Sequence, residues 1–245
     1  MDLHEVSIYG GLGNQLFCLL QAYRLKFLKN TKIILNISNY KINNPNKDRL
    51  FILNELSSVL LEDFKIIDGK FAYFKDLFVR ILRKFFFKED PKRLPGDNVI
   101  SLNYFPKRFI HSGYFQSVSD NSLDKKALKL LIKKLSPRIL NSVKYNNLAI
   151  HIRRGDYLKK AHSNHGLILE ECLLDEANFY LKETDFEGIT IFTDSPDQID
   201  IDVFRDIHLN VKLDQGGNNI DVFKRMVNHK GLIASNSTFS SVPGM

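Results

Sequence analysis

The sequence predicts an α/β protein built on parallel sheets. Three observations predict it. Short apolar, strand-like runs alternate with helical stretches at both ends of the chain. A glycine-rich turn, Gly10-Gly11-Leu12-Gly13-Asn14-Gln15, joins the first run to the first helical stretch. Three later runs end in polar residues suited to ligands, and in open α/β sheets ligands bind at the C-terminal ends of strands.

The elements follow in order. Glu5 to Tyr9 reads as a strand. Leu16 to Leu28 reads as a helix with Leu16, Leu19, Leu20, Tyr23 and Phe27 on one face, and Thr31 to Asn36 as the next strand. From Ser38 to Ser119 the pattern is less regular. Asn39 to Arg49 is rich in Asn and Lys and reads as a loop. Leu77 to Lys88 is apolar on one side and basic on the other. Ile110 to Phe115 reads as a short strand, and Asp124 to Leu135 as a basic amphipathic helix ended by Pro137. Regular alternation then resumes. Asn147 to Ile152, Gly188 to Phe192, Val211 to Leu213 and Gly231 to Ala234 read as strands. Leu167 to Lys182 and Asn219 to Asn228 read as helices. Ser235 to Ser240 reads as a turn opening a last helix. The chain is long enough for two cores. A boundary near residue 145 gives two α/β domains, 1–145 and 146–245, with a cleft between them. No internal repeat is visible.

Composition narrows the function classes. With 44% hydrophobic and 26% charged residues the chain is ordinary for a globular protein rather than disordered. Its apolar runs are too short to span a bilayer. The acidic start, Met1-Asp2-Leu3-His4-Glu5, does not resemble a secretory leader. Two isolated cysteines, Cys18 and Cys172, argue against a disulfide framework and for a reducing compartment. The net charge of +7 favours anionic partners, but the lysines are spread out and not interleaved with aromatic residues. Nucleic acid is therefore not the expected partner. Phosphorylated small molecules and a membrane surface remain.

The densest chemistry is His151-Ile152-Arg153-Arg154-Gly155-Asp156 at a strand end. Two guanidiniums there suit phosphate or carboxylate, because the planar fork matches both and stays charged. A plain salt bridge from one arginine to Asp156 explains the same residues equally well. The turn at Gly10 to Gln15 suits an anion at a helix N-terminus, or is a tight strand-to-helix turn; it only partly fits G-x-G-x-x-G. Asp194, in Phe192-Thr193-Asp194, could accept from a ribose or a guanine, or could cap a helix. Ser237, Thr238 and Phe239 could cradle an anion. Asp200-Ile201-Asp202 has the form of a metal-holding D-x-D, but its acidic, loop-like setting favours a solvated turn. His162 and His165 read as exposed loop residues, so no metal site is expected. The basic helix around Arg80 to Lys88 either lies on an anionic membrane or packs on the core.

In this order, G-G-L-G-N-Q-L-F from Gly10, G-Y-F-Q from Gly113, H-x-R-R-x-D from His151, F-T-D from Phe192 and S-N-S-T-F-S from Ser235 resemble glycosyltransferase family 11, which contains the alpha-1,2-fucosyltransferases. The resemblance implies a GT-B fold, with two Rossmann-like domains facing a cleft. The N-terminal domain would take the acceptor and the C-terminal domain the nucleotide sugar. The donor would be GDP-L-fucose, transferred with inversion and without an essential metal or other cofactor. Arg153 would bind the pyrophosphate, with His151, Arg154 and Asp156 completing the motif. Asp194 would lie near the guanosine, and Ser237, Thr238 and Phe239 at the phosphate and fucose end. Asn14, with Gly11 and Gly13, would face the donor from the N-terminal domain. The acceptor would be a galactose-containing glycan, free or lipid-linked, as in O-antigen or capsule synthesis. The protein would be cytoplasmic, with peripheral contact to the bacterial plasma membrane. The family pattern continues after N-S-T-F-S with tryptophan and further helix. Here Ser241-Val242-Pro243-Gly244-Met245 follows and the chain contains no tryptophan, so the C-terminal part is expected to be shortened. Another fucosyl linkage and an inactive nucleotide-sugar-binding relative are the alternatives.

Overall fold

A computed structural model describes residues 1–42, 51–86, 108–116, 118, 121–139, 144–155 and 168–241. Packing of the backbone divides the chain into two units, Met1–Arg138 and Ile139–Met245. The division falls a few residues before the boundary read from the sequence.

The first unit is built from β1 (Asp2–Ser7), α1 (Leu12–Lys26), β2 (Thr31–Asn36), α2 (Ser38–Ile42), α3 (Leu53–Leu56), β3 (Lys65–Ile67), α4 (Lys70–Phe86), β4 (Arg108–His111) and α5 (Ser122–Ile139). Its strands pair in parallel in the order β3-β2-β1-β4. Helix α1 starts at Leu12, so most of the predicted glycine turn is its first turn. It is buried nearly all round, with Leu16, Leu19, Leu20 and Tyr23 inside as the spacing predicts. Phe27, predicted on the same face, lies beyond the helix and is exposed. Arg24 of α1 pairs with Asp124 of α5 at 2.6 Å, both nearly buried. Helix α5 runs through Pro137 to Ile139 rather than stopping before it. A proline in a final turn removes only one backbone bond. β4 begins at Arg108 and ends at His111, earlier than the strand read from Ile110 to Phe115. Phe115 has a φ of 54°, which no strand residue adopts.

The second unit comprises β5 (Tyr145–Ile152), α6 (Glu170–Glu183), β6 (Gly188–Thr193), α7 (Asp202–Arg205), β7 (Val211–Leu213), α8 (Asn219–Val227), β8 (His229–Ile233) and α9 (Thr238–Ser241). Its parallel order is β7-β6-β5-β8. β5 is buried on both faces. Leu148, Ile150 and Ile152 pack with Leu173, Ala177, Ile189, Ile191 and Phe204 on one side. Ala149 packs with Phe192 and Met226 on the other. That is why these strands read as unbroken apolar runs rather than alternating ones. Both units therefore carry the same strand order, a repeat of topology that the sequence does not display. In each, the first strand sits inside the sheet, and the order reverses beside it, between β1 and β4 and between β5 and β8. Such reversals open the crevice where α/β sheets bind ligands.

β1 and β4 also share a buried histidine pair. His4 Nδ1 lies 2.9 Å from His111 Nε2, and the rings stack. One proton serves that bond, and His111 Nδ1 has no partner within the described residues. Burial, with His4 beside it, pulls His111 down to about 4. A folded pKa below the unfolded value near 6.5 means the unfolded chain takes up protons first. Stability is then full above about pH 6.5 and falls as the pH drops toward 4, by about 3 kcal/mol from His111 alone. Urea midpoints at pH 7.5 and 4.5 check this, and an unchanged midpoint would contradict it.

Candidate functional site

The parallel register brings the ends of β6, β5 and β8 side by side: Ile152 pairs with Thr193, and Ile150 with Ile233. Residues 41 and 83 positions apart in sequence thus meet at one sheet edge. The chain leaves β5 as Arg153-Arg154-Gly155, leaves β6 as Asp194-Ser195, and leaves β8 into Ser235 and α9. Asp156 lies outside the described residues, as do His162 and His165.

Asp194 organises this edge. Its Oδ1 accepts from the backbone N–H of Arg154 at 2.9 Å and of Gly155 at 3.2 Å, and its Oδ2 pairs with Arg153 Nη1 at 3.1 Å. The approach is so close that a Cβ on Gly155 would sit 3.0 Å from Asp194 Cγ. The carboxylate predicted to meet a guanosine is thus engaged by the loop after β5 and by the arginine it carries.

The two arginines have different tasks. Arg154 Nη1 donates to Ile168 O at 2.9 Å, and Nη2 lies 3.4 Å from Glu170 at the start of α6; its side chain is only 11% exposed. That guanidinium fastens α6 to the end of β5. Arg153 is 29% exposed and is held on one side by Asp194. Of the two arginines it is the more exposed to a ligand.

His151 is buried, with Nδ1 2.7 Å from Ser235 Oγ and its ring tilted against Phe239. Burial, and then the charge of Arg153, draws its pKa down to about 4, so it is neutral near pH 7. It ties the end of β5 to the end of β8. Ser237 is buried and accepts from the Phe239 N–H at 3.3 Å, which makes it the cap of the single-turn α9. Phe239 packs against His151 and Phe223. Thr238 is half-buried at the same edge. One feature here escaped the sequence reading. Arg225 holds Asp214, beyond β7, by two bonds of 2.7 Å, and it also donates to Gly216 O. An Asp eleven residues before an Arg has no spacing signature that would have exposed the pair.

Asp200 and Asp202 are used locally. Asp200 Oδ1 accepts from the Asp202 N–H at 3.0 Å, and Asp202 pairs with Arg205 at 2.5 Å. This is the turn reading of D-x-D.

In the first unit the glycine turn leaves β1 at the corresponding edge. Gly11 is the N-terminal boundary of α1, no side chain caps the helix, and no acidic residue lies in its first turn. Gly13 and Asn14 follow inside that turn. Asn14 Oδ1 accepts from Gln116 Nε2 at 3.1 Å, which joins the G-N-Q and G-Y-F-Q motifs. The glycine the geometry demands is Gly10, which was not among the predicted site residues. Its φ is +72°, and a Cβ there would sit 2.6 Å from Asn14 Nδ2. Its carbonyl accepts from Tyr40 OH at 2.8 Å and Gln15 Nε2 at 3.2 Å. Among the described residues nothing lies within 4 Å of a Cβ on Gly11. Gly10→Ala is expected to cost about 1–2 kcal/mol for its left-handed backbone, while Gly11→Ser, at a position suited to an N-cap, keeps full stability. Equal thermal midpoints for the two variants would contradict this. Beneath the turn, Asp76 of α4 accepts from Ser7 Oγ at 2.6 Å and Tyr9 OH at 2.7 Å, and Tyr9 OH also bonds Ser112.

No family model matches the chain, and no curated protein matches it by sequence. Solved structures do resemble it. POFUT1 in complex with GDP-fucose superposes with a TM-score of 0.50 at 10% identity, covering 99% of this chain and 93% of that one. The fucosyltransferase NodZ from Bradyrhizobium gives 0.45 at 10% identity, over 99% and 91%. The E. coli heptosyltransferase WaaC with ADP gives 0.45 at 8% identity, over 98% and 83%. The first of these likenesses shows the fold, and the chain is of the GT-B type.

Proposed function

We propose that this chain is an inverting fucosyltransferase that moves L-fucose from GDP-L-fucose to a galactoside hydroxyl in alpha-1,2 linkage, without an essential metal, in the synthesis of a surface glycan. The observation that carries the reading is the gathering of the ends of β6, β5 and β8 around Arg153, with Asp194 aiming its guanidinium. The order of the motifs along the chain names the donor. The second unit takes the nucleotide sugar, and the first takes the acceptor.

The chemistry suits these residues. The bond from fucose C1 to the β-phosphate oxygen breaks, and a bond from C1 to the acceptor oxygen forms. The acceptor hydroxyl gives up its proton, and GDP leaves carrying the bonding pair. Negative charge grows on the leaving phosphate, and preorganised donors must stabilise it. Arg153 is that donor. Asp194 acts by holding Arg153 and the loop after β5, rather than by meeting the guanosine. His151 is a positioning residue, since its ring is buried and bonded to Ser235. Arg154 fixes α6 beneath the site. Thr238 and the Ser237 turn line the phosphate end. Asn14, Gly11 and Gly13 contribute to donor binding.

Purified protein with GDP-fucose and a panel of galactosides, with and without EDTA, tests the reading. Fucose transfer unaffected by EDTA, with product linkage alpha-1,2 by NMR, is the expected result. A chain that neither binds GDP nor transfers fucose would sink it. Transfer that requires a divalent ion would sink the metal-free mechanism.

A further inference from the structure

Over its described side chains, helix α4 turns polar groups inward and aromatic rings outward. A helix at the surface of a globular unit normally buries its apolar stripe. Here the buried positions among the described side chains are Ala72 and Asp76, with Tyr73, Lys75 and Leu77 half-buried. Lys75 pairs with Glu5 of β1, Asp76 is bonded to Ser7 and Tyr9, and Asn36 of β2 donates to Ala72 O at 3.1 Å. The outward stripe is Phe71, Phe74, Phe78 and Ile81, exposed by 83%, 60%, 47% and 45%. These four fall within one narrow sector of the helix and run about 15 Å along its axis. Burying the stripe inward would have been worth about 1.5–3 kcal/mol for each large side chain. The fold forgoes that and spends buried polar bonds to hold the helix the other way. Apolar patches of this kind mark interaction sites.

Charge identifies the occupant. Residues 1–138 hold 24 Lys+Arg against 13 Asp+Glu, a net of +11, while residues 139–245 hold 11 against 15, a net of −4. All of the chain's positive excess lies in the unit that carries the stripe. Between Lys70 and Lys88 the sequence has six basic residues and one acid, Asp76, which is buried. No helix among the described residues is long and apolar enough to cross a membrane.

We infer that the exposed face of α4 docks the first unit onto an anionic lipid bilayer. The stripe sinks into the headgroup boundary by about 5–10 Å, and the unit's positive charge favours lipid phosphates over neutral headgroups. A second copy docking through the same unit would instead bring +11 against +11, so the charge argues against that pairing. The inference does not depend on which sugar is transferred.

The chain contains no tryptophan, so Phe74→Trp places a single fluorophore on the stripe. Mixed with vesicles of phosphatidylcholine and phosphatidylglycerol at low salt, its emission should shift to the blue and be quenched by brominated lipid. Phosphatidylcholine alone, or high salt, should abolish both effects. In co-sedimentation, Phe71→Ser/Phe78→Ser should weaken binding at least about tenfold, with the thermal midpoint unchanged. Equal binding by parent and variant, equal binding to neutral vesicles, or a tryptophan that stays solvated would overturn the inference. So would a dimer that disperses in the serine variant without any vesicle binding.

Discussion

Arg153→Ala should lower kcat for fucose transfer by about a hundredfold, the cost of removing one preorganised charged donor, roughly 3 kcal/mol. The variant should fold. Arg153 is partly exposed, and its loop is also held through the backbone bonds of Asp194. Arg153→Lys should recover only part of the loss, because an ammonium cannot meet Asp194 and a phosphate with one planar fork. Arg154→Ala should behave differently. Its guanidinium is committed to Ile168 and Glu170, so the loss should appear chiefly as a lower thermal midpoint. Steady-state kinetics beside a melting curve separates the two. An Arg153→Ala enzyme that melts normally and turns over normally removes the mechanism.

Asp194→Ala should reduce kcat between about tenfold and a hundredfold, and the effect should run through Arg153. Three donors converge on this carboxylate: two backbone amides and one guanidinium. If Asp194 acts by aiming Arg153, the double variant should be no worse than the poorer single variant. A guanosine ligand would give a different signature: weaker GDP binding by calorimetry, and losses that add. Additive losses together with a raised Kd for GDP would return Asp194 to the nucleoside.

Much of the second unit was legible in the sequence. β5, β6 and β8 are short apolar runs followed at once by polar clusters, and a parallel sheet aligns such ends by construction. What pattern could not supply was the direction of side chains at that edge. His151, Arg153 and Arg154 are near neighbours, yet one is buried, one faces Asp194 and one anchors α6. Asp194 read as a ligand or a helix cap because two of its three partners are backbone amides, which leave no mark in a sequence. Gly10 was passed over for Gly11 and Gly13 because only backbone angles reveal which glycine in a cluster is needed. In the first unit, β3 is three residues long and falls below any periodic signal. The α4 stretch was visible as amphipathic, but periodicity shows that a helix has two faces, not which one the protein keeps.

The position of β1 in its sheet has a consequence for synthesis. Its partner on one side, β2, lies just beyond the first helix, but its partner on the other side is made about a hundred residues later, with His4 opposite Phe109 and Val6 opposite His111. At roughly 5–20 residues per second, a ribosome takes several seconds to travel from Asn36 to His111. For that interval the nascent chain carries an unpaired edge on its innermost strand, the kind of edge that recruits other strands. Chaperone demand should therefore peak before residue 111 emerges, and release assays on stalled chains of graded length would show protease resistance arriving abruptly once β4 has cleared the exit tunnel.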